Sequence, residues 1–255
     1  MLDFYFIGTS GKVPQLHRRL TSAMLRAEGD ITLIDAGEGT QLGISKSGWS
    51  AKSISTILIT HLHADHVLGL AGVLLQIHNS GRTDRIIIAG PKGVKRYVNS
   101  LYLVLPTLKY PIYFIELTGD SDFILANTLE IDAFKLNHSV SCYGYSFYFR
   151  HFGKFNVEKA KTVPKRSWGE LSKGFATRDF NGVKVKNDQI LGPERKGIKV
   201  TYVTDTRPTE SIVEYAAYSD LFVCEGMYIG SGETEERDNI CLLYTSPSPR
   251  DAHES

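Results

Sequence analysis

Thr60-His61-Leu62-His63-Ala64-Asp65-His66 is the stretch on which the reading of this chain turns. It follows Thr56-Ile57-Leu58-Ile59, a compact apolar run with the length and β-branching of a buried strand. The whole chain holds 8 histidines in 255 residues, so a chance cluster of core histidines is a poor account of three so close together. At a strand end alternate residues share a face, so His61 and His63 can point the same way and hold one cation. Asp65 and His66 turn the corner into the next helix and can face a second. Neutral imidazole and carboxylate are the donors that catalytic zinc sites use. Two such ions about 3.5–4 Å apart stabilise both the attacking and the leaving oxygen of a displacement.

Four donors per ion require residues from elsewhere. His138 lies just past a strand in Leu136-Asn137-His138-Ser139, and Asp205 just past another in Thr204-Asp205-Thr206-Arg207. Both sit at strand C-termini, where sites on α/β sheets are built. Alone, each would read as a turn or capping residue. Beside the histidine cluster they become candidate ligands. His78 falls near a helix end and reads as a C-terminal cap, while His17, His151 and His253 lie in loop or tail sequence. Gly37-Glu38-Gly39-Thr40 has too few glycines for a dinucleotide fingerprint, and no nucleophile elbow or phosphate-binding glycine loop occurs.

Outward from the motif, strand-like and helix-like segments alternate. Leu2–Ile7, Ser22–Ala27 and Ile31–Asp35 read as a hairpin-rich start. Leu70, Val73, Leu74 and Ile77 give helical spacing to Val67–His78. Arg85–Ala89 is a strand, and a helix is expected from Gly90-Pro91 to about Leu103. Ile112–Leu117, Thr128–Leu136, Tyr143–Phe149, Ile198–Thr204 and Asp220–Cys224 read as further strands, with a helix near Thr209–Tyr218. Between them, His151 to Lys196 carries Gly and Pro at intervals and no long periodic run. A loop of that length inside a domain is functional or disordered.

Composition places limits on what the protein can be. Hydrophobic residues at 42% and charged residues at 22% are ordinary for a globular domain. No run of about 18 apolar residues occurs, so no membrane partner is expected. Met1-Leu2-Asp3-Phe4-Tyr5-Phe6-Ile7 lacks a basic region and a cleavage site and reads as a strand. Cys142, Cys224 and Cys241 form no paired framework, which suits the reducing cytoplasm. The net charge of +1 hides an asymmetry: Arg150–Lys199 holds 13 Lys/Arg against 5 Asp/Glu, leaving the remainder acidic. Such a patch is the footprint of a polyanion partner, or equally a solvated loop that needs lysine for solubility.

The His-x-His-x-Asp-His string with a later His and Asp resembles the metallo-β-lactamase superfamily. That likeness implies an α/β fold, the αβ/βα four-layer sandwich, with metals at one edge of two sheets. More of the chain resembles the ribonuclease Z family: Phe6–Pro14, Ile34–Gln41, Ile59–His66, His138–Tyr145, Gly153-Lys154-Phe155, Leu191-Gly192-Pro193 and Tyr202–Arg207. Pro164-Lys165-Arg166-Ser167-Trp168-Gly169 falls where that family carries a flexible arm, with Lys165-Arg166 in place of its usual Gly-Pro.

The resemblance implies a zinc-dependent endoribonuclease cleaving precursor tRNA 3′ to the discriminator nucleotide, with two zinc ions per subunit. His61, His63 and His138 would bind one zinc, Asp65 and His66 the other, and Asp205 both. Asp65 would also be the general base, and Asp35 would orient the site from behind. The basic arm, residues 151–196, with Lys165, Arg166 and Trp168 as substrate-binding candidates, would clamp the tRNA across a homodimer.

The domain is expected to span residues 1–239 and to be incomplete at its C-terminus. The family supplies a leaving-group His and a final zinc ligand beyond Glu225-Gly226-Met227-Tyr228, and His253 lacks the strand context to replace them. Residues 240–255, with Pro247 and Pro249 and no periodicity, are expected to be a non-native tail. Two alternatives stand beside this reading: a hydrolase of the same fold acting on a lactone, thioester or small phosphodiester, and an inactive RNA-binding fragment.

Overall fold

The computed structural model describes residues 1–225 apart from 127–128, 152, 162–164, 166–167, 169–176, 181–182, 187–189 and 194; for 177–180 and 183–186 it describes the backbone alone. The expectations for Arg166, His253 and the 240–255 tail lie outside the described residues.

Two sheets face each other. The first runs in sequence order: β1 (Leu2–Gly8), β2 (Ser22–Ala27), β3 (Asp30–Ile34), β4 (Ile54–Leu58), β5 (Ile86–Pro91) and β6 (Ile112–Leu117). Its opening β1-β2-β3 meander is antiparallel, and β3 to β6 are parallel. Helices α1 (Thr40–Ser47), α2 (Ala64–Val67), α3 (Leu70–Asn79) and α4 (Val94–Leu101) supply the connections. The second sheet is built from β7 (Ser121–Ala126), β8 (Leu129–Leu136) and β9 (Cys142–His151). Next come α5 (Val157–Ala160) and the hairpin β10 (Thr177–Phe180) and β11 (Val183–Lys186), then β12 (Arg195–Val203), α6 (Glu210–Ala216) and β13 (Leu221–Cys224). Its order is β13-β12-β9-β8-β7.

Alternation along the strands divides the apolar residues into layers. Leu25, Ile34, Leu58 and Ala89 face the second sheet's Ile131, Tyr145, Phe147 and Val200. Their chain neighbours Met24, Leu33, Ile57 and Ile88 face outward onto Ile44 of α1, Val73 and Ile77 of α3 and Val98 of α4. On the far side Phe134, Val203 and Ile212 pack together, with the Phe134 and Tyr215 rings stacked at 4.4 Å. The result is the expected helix–sheet–sheet–helix sandwich. Truncating a fully buried aliphatic of these layers to alanine costs about 2–5 kcal/mol. No helix among the described residues is long and apolar enough to cross a membrane.

Four local expectations need correction. The helix read as Val67–His78 is two pieces, α2 and α3, broken at Leu68–Gly69. Pro91 still pairs with Leu117 in β5, so α4 begins only at Val94. His78 does not cap its helix; its Nδ1 accepts the Lys109 N–H at 3.3 Å and ties α3 to the segment before β6. The 151–196 segment is not free of regular structure: it holds α5, the β10–β11 hairpin and a bridge between Phe155 and Leu191.

Candidate metal centre

The cluster forms where three strand ends meet. After β4 the chain is held between the sheets: Ile59 N–H donates to the Ala89 carbonyl (2.8 Å), Tyr145 hydroxyl to the Ile59 carbonyl (2.7 Å), and Tyr143 N–H to the Thr60 carbonyl (3.0 Å). His61 and His63 follow, and the first turn of α2 delivers Asp65 and His66. From the second sheet, His138 leaves β8 and Asp205 leaves β12. These two loops are stitched together by Arg207 N–H to the Asn137 carbonyl (2.8 Å) and Asn137 N–H to Thr206 Oγ1 (3.0 Å). Backbone contact between residues 70 positions apart thus places the last two donors opposite the first four.

Two overlapping triads result. Donor atoms of His61, His63 and His138 lie within 4.8 Å of one another, and so do those of His61, His66 and Asp205. His138 Nε2 stands 3.1 Å from His63 Nδ1. Asp205 Oδ1 is 3.4 Å from His66 Nε2, and its Oδ2 is 3.9 Å from His61 Nε2 and 4.0 Å from His138 Nε2, so this carboxylate touches both groups. Asp65 Oδ2 lies 3.9 Å from His66 Nε2 and falls in neither triad.

The donors fit a metal on one observation above all. His61 is fully buried, its Nδ1 is engaged by Thr60 Oγ1 at 3.1 Å, and its Nε2 has no hydrogen-bond partner among the described residues while facing the cluster. A buried polar atom left so costs about 1–3 kcal/mol unless something else satisfies it. A divalent cation does so. Burial, and next the neighbouring His66, push the His61 pKa down to about 2, which keeps the ring neutral as a ligand must be.

Asp35 stands behind this arrangement. It is fully buried with φ of 56°, a left-handed conformation that aspartate tolerates better than most residues. Its Oδ1 accepts the Thr60 N–H (2.8 Å), and its Oδ2 accepts the Thr60 hydroxyl (2.8 Å) and meets His66 Nδ1 (2.8 Å). Burial opposes charge on His66, but the Asp35 carboxylate and the Asp205 hydrogen bond outweigh it and hold its pKa well above the usual imidazole value. A carboxylate that fixes the far nitrogen of a ligand imidazole sets its tautomer and raises its basicity. Gly37 lets the 35–37 turn approach α2: a Cβ there would stand 2.3 Å from the Asp65 carbonyl oxygen.

Glu225 was not among the candidates from sequence. Its Oε2 accepts the Asp205 N–H (3.0 Å) and the Thr204 hydroxyl (3.3 Å). Burial, and then Asp205, raise its pKa to about 8, so Glu225 carries the proton and Asp205 the charge. Only the fold shows this, since Glu225 reaches the site by lying at the end of β13 beside β12. Of the arm candidates, Trp168 is partly buried against Phe155 (ring centroids 5.1 Å) beside Ala160, Ile190 and Leu191, and the Lys165 ammonium is 5.9 Å from the Trp168 ring.

A pair of facing sheets with this ligand string at their shared edge defines a protein of the metallo-β-lactamase fold. Solved structures agree: the Bacillus subtilis metallo-β-lactamase fold protein YhfI superposes with a TM-score of 0.63 at 14% identity, covering 94% of this chain and 76% of that one. Human tRNase Z, short form, gives 0.61 at 23% identity, covering 87% and 76%. Residues 2–153 match the family profile described as Anti-Pycsar protein Apyc1. Similarity to a curated relative runs further. Ribonuclease Z of Lachnoclostridium phytofermentans is 46% identical over 241 residues, 94% of this chain and 78% of that protein. The chain therefore belongs to the ribonuclease Z family, with residues 2–153 also within the family described as Anti-Pycsar protein Apyc1.

Proposed function

We propose that this chain is a zinc-dependent endoribonuclease that cleaves precursor tRNA on the 3′ side of the discriminator nucleotide. Its products are a tRNA with a 3′-hydroxyl and a 5′-phosphorylated trailer. The observation that carries this reading is the pair of overlapping donor triads joined through His61, in a chain of the ribonuclease Z family.

His61, His63 and His138 would hold one zinc, Asp65 and His66 the second, and Asp205 would serve both. When bound, a pair of such cations acidifies water towards a pKa of about 7 and offsets charge on the phosphate oxygens. Asp65, on the open side of the cluster, takes the proton of the attacking water. Asp35 keeps His66 oriented, and Glu225, protonated, leaves the charge on Asp205. The basic segment 151–196 grips the tRNA body by replacing its counterions, so binding weakens with salt. We assign the working form to a homodimer in the cytoplasm, a compartment that suits cysteines held as thiols rather than as a disulfide, such as Cys142 and Cys224.

The test incubates the protein with a trailer-bearing precursor tRNA, with zinc or with a chelator. Cleavage at the discriminator, lost with chelator, is expected. Asp65→Asn keeps the shape of the side chain without its basicity and should slow cleavage about 10²–10⁴-fold. RNA left intact with zinc, beside hydrolysis of a small phosphodiester, would move the protein to another hydrolase class. RNA binding that persists with chelator and never leads to cleavage would leave only a binding fragment.

A further inference from the structure

The pocket over the cluster encloses about 400 Å³, and one wall carries a cation. Asp65, His138, Asp205 and Glu225 line it together with Gly11 and Lys12. Lys12 is the only lysine or arginine among the described lining residues.

Its position is fixed by the loop that carries it. Ser10 N–H donates to the Arg19 carbonyl (2.9 Å), Thr21 Oγ1 to the Ser10 carbonyl (3.3 Å), and Ser10 Oγ to the Val13 carbonyl (2.9 Å), which brackets Lys12 on both sides. At the loop's base a Cβ on Gly8 would stand 1.9 Å from the Leu20 carbonyl oxygen, so only glycine allows the two ends to close. The backbone at residue 12 is tied down, while the residue itself is exposed. Among the described residues no carboxylate pairs with the Lys12 ammonium, although Asp65 and Asp205 line the same pocket. Lys12 is therefore not there to neutralise Asp65 or Asp205. Beside a cation-filled cluster an ammonium adds repulsion unless an anion lies between them. A chain of phosphates supplies that anion: with one diester on the metals, the next leaves along the pocket wall.

We infer that Lys12 binds a backbone phosphate of the RNA adjacent to the scissile one, and so helps seat the cleavage site over the metals. The inference rests on the ribonuclease reading above. The contact exists before and during the chemical step, so its loss raises KM more than it lowers kcat.

The experiment compares the zinc-loaded parent with Lys12→Ala and Lys12→Arg. It follows cleavage and binding of trailer-bearing precursor tRNA over a range of salt, with metal content by elemental analysis. For Lys12→Ala, kcat/KM should fall about 10-fold, the size of one charge-assisted hydrogen bond. The slope of log affinity against log salt should shrink by about 0.7, the share of one single-strand phosphate contact. Zinc content should hold, and Lys12→Arg should recover most of the affinity. An alanine variant with the parent's affinity and salt slope overturns this inference alone. So does one whose weaker binding tracks lost zinc. A parent that neither binds nor cleaves the precursor overturns the ribonuclease reading and this inference with it.

Discussion

The two triads of the metal centre share His61 but are assembled differently. His61 and His63 come from one strand end, and His138 closes their group with a nitrogen 3.1 Å from His63. Three imidazoles compose that triad. The other triad depends on Asp205, a carboxylate that enters from the second sheet and whose charge is set by its neighbours His66 and Glu225. Behind it lies Asp35, the anchor of His66. One half is thus made of imidazoles alone, and the other joins imidazoles to a carboxylate backed by Glu225, with Asp35 behind His66. Such a difference predicts unequal responses to the same insult.

The largest effect should come from the shared carboxylate. Asp205→Ala takes the carboxylate that would serve both metals, so both should be lost and RNA cleavage should fall by at least about 10³-fold. His63→Ala leaves the His66–Asp205 group intact and should retain close to one equivalent of zinc, though cleavage also collapses. Elemental analysis of the two variants side by side decides the matter. Equal metal retention by both would show that the triads are one indivisible site. RNA processing left intact by either would remove the metal centre from the reaction altogether.

Asp35→Asn should act on the carboxylate half first. The amide still accepts the Thr60 N–H, but the negative partner of His66 Nδ1 is gone. Losing such a support behind a ligand weakens metal affinity about 10–100-fold. Zinc competition against a chelator should resolve a weakened second step and a first step close to the parent's. A uniform loss would mean that Asp35 holds the Thr60 corner rather than the imidazole.

What could be read from the amino acids alone divides along another line. The donors of both triads were legible, because His61, His63 and His66 follow a strand whose apolar run is unmistakable, and His138 and Asp205 follow others. The sandwich was legible from the alternation of paired neighbours such as Met24 and Leu25 or Ile57 and Leu58, which face opposite layers. Glu225 was not legible as part of the site, since nothing local marks a glutamate that becomes relevant only where β13 lies beside β12. Helix α1 escaped because Gly43 sits midway along it and lowers its propensity. Strand β7 escaped because apolar residues fall on both its faces, with Phe123 and Leu125 exposed and Ile124 and Ala126 buried, so no polar–apolar alternation marks it. Local pattern identifies a donor that follows its own strand; it does not identify a supporting group that a partner strand brings in.

The smallest effect, and the sharpest test of the comparison, is the pH dependence of metal binding. The proton on His66 is held by Asp35 and Asp205 against the opposing influence of burial, so its pKa lies above the unfolded value of 6.5. In the metal-free protein that proton contributes stability fully below pH 6.5, and the contribution fades as pH climbs through the raised pKa. A cation at Nε2 requires the proton to leave, so zinc affinity of the carboxylate half should rise with pH from 6.5 upward. One displaced proton sets the slope at about tenfold per pH unit at most. In the imidazole half, burial keeps His61 neutral and lowers the pKa of His138, so these two ligands add little proton release above pH 6.5. A zinc titration at pH 6.5, 7.25 and 8 should therefore show one step that tightens more steeply than the other. If both steps tighten equally, the proton belongs to the whole cluster, and the division into an imidazole half and a carboxylate half fails.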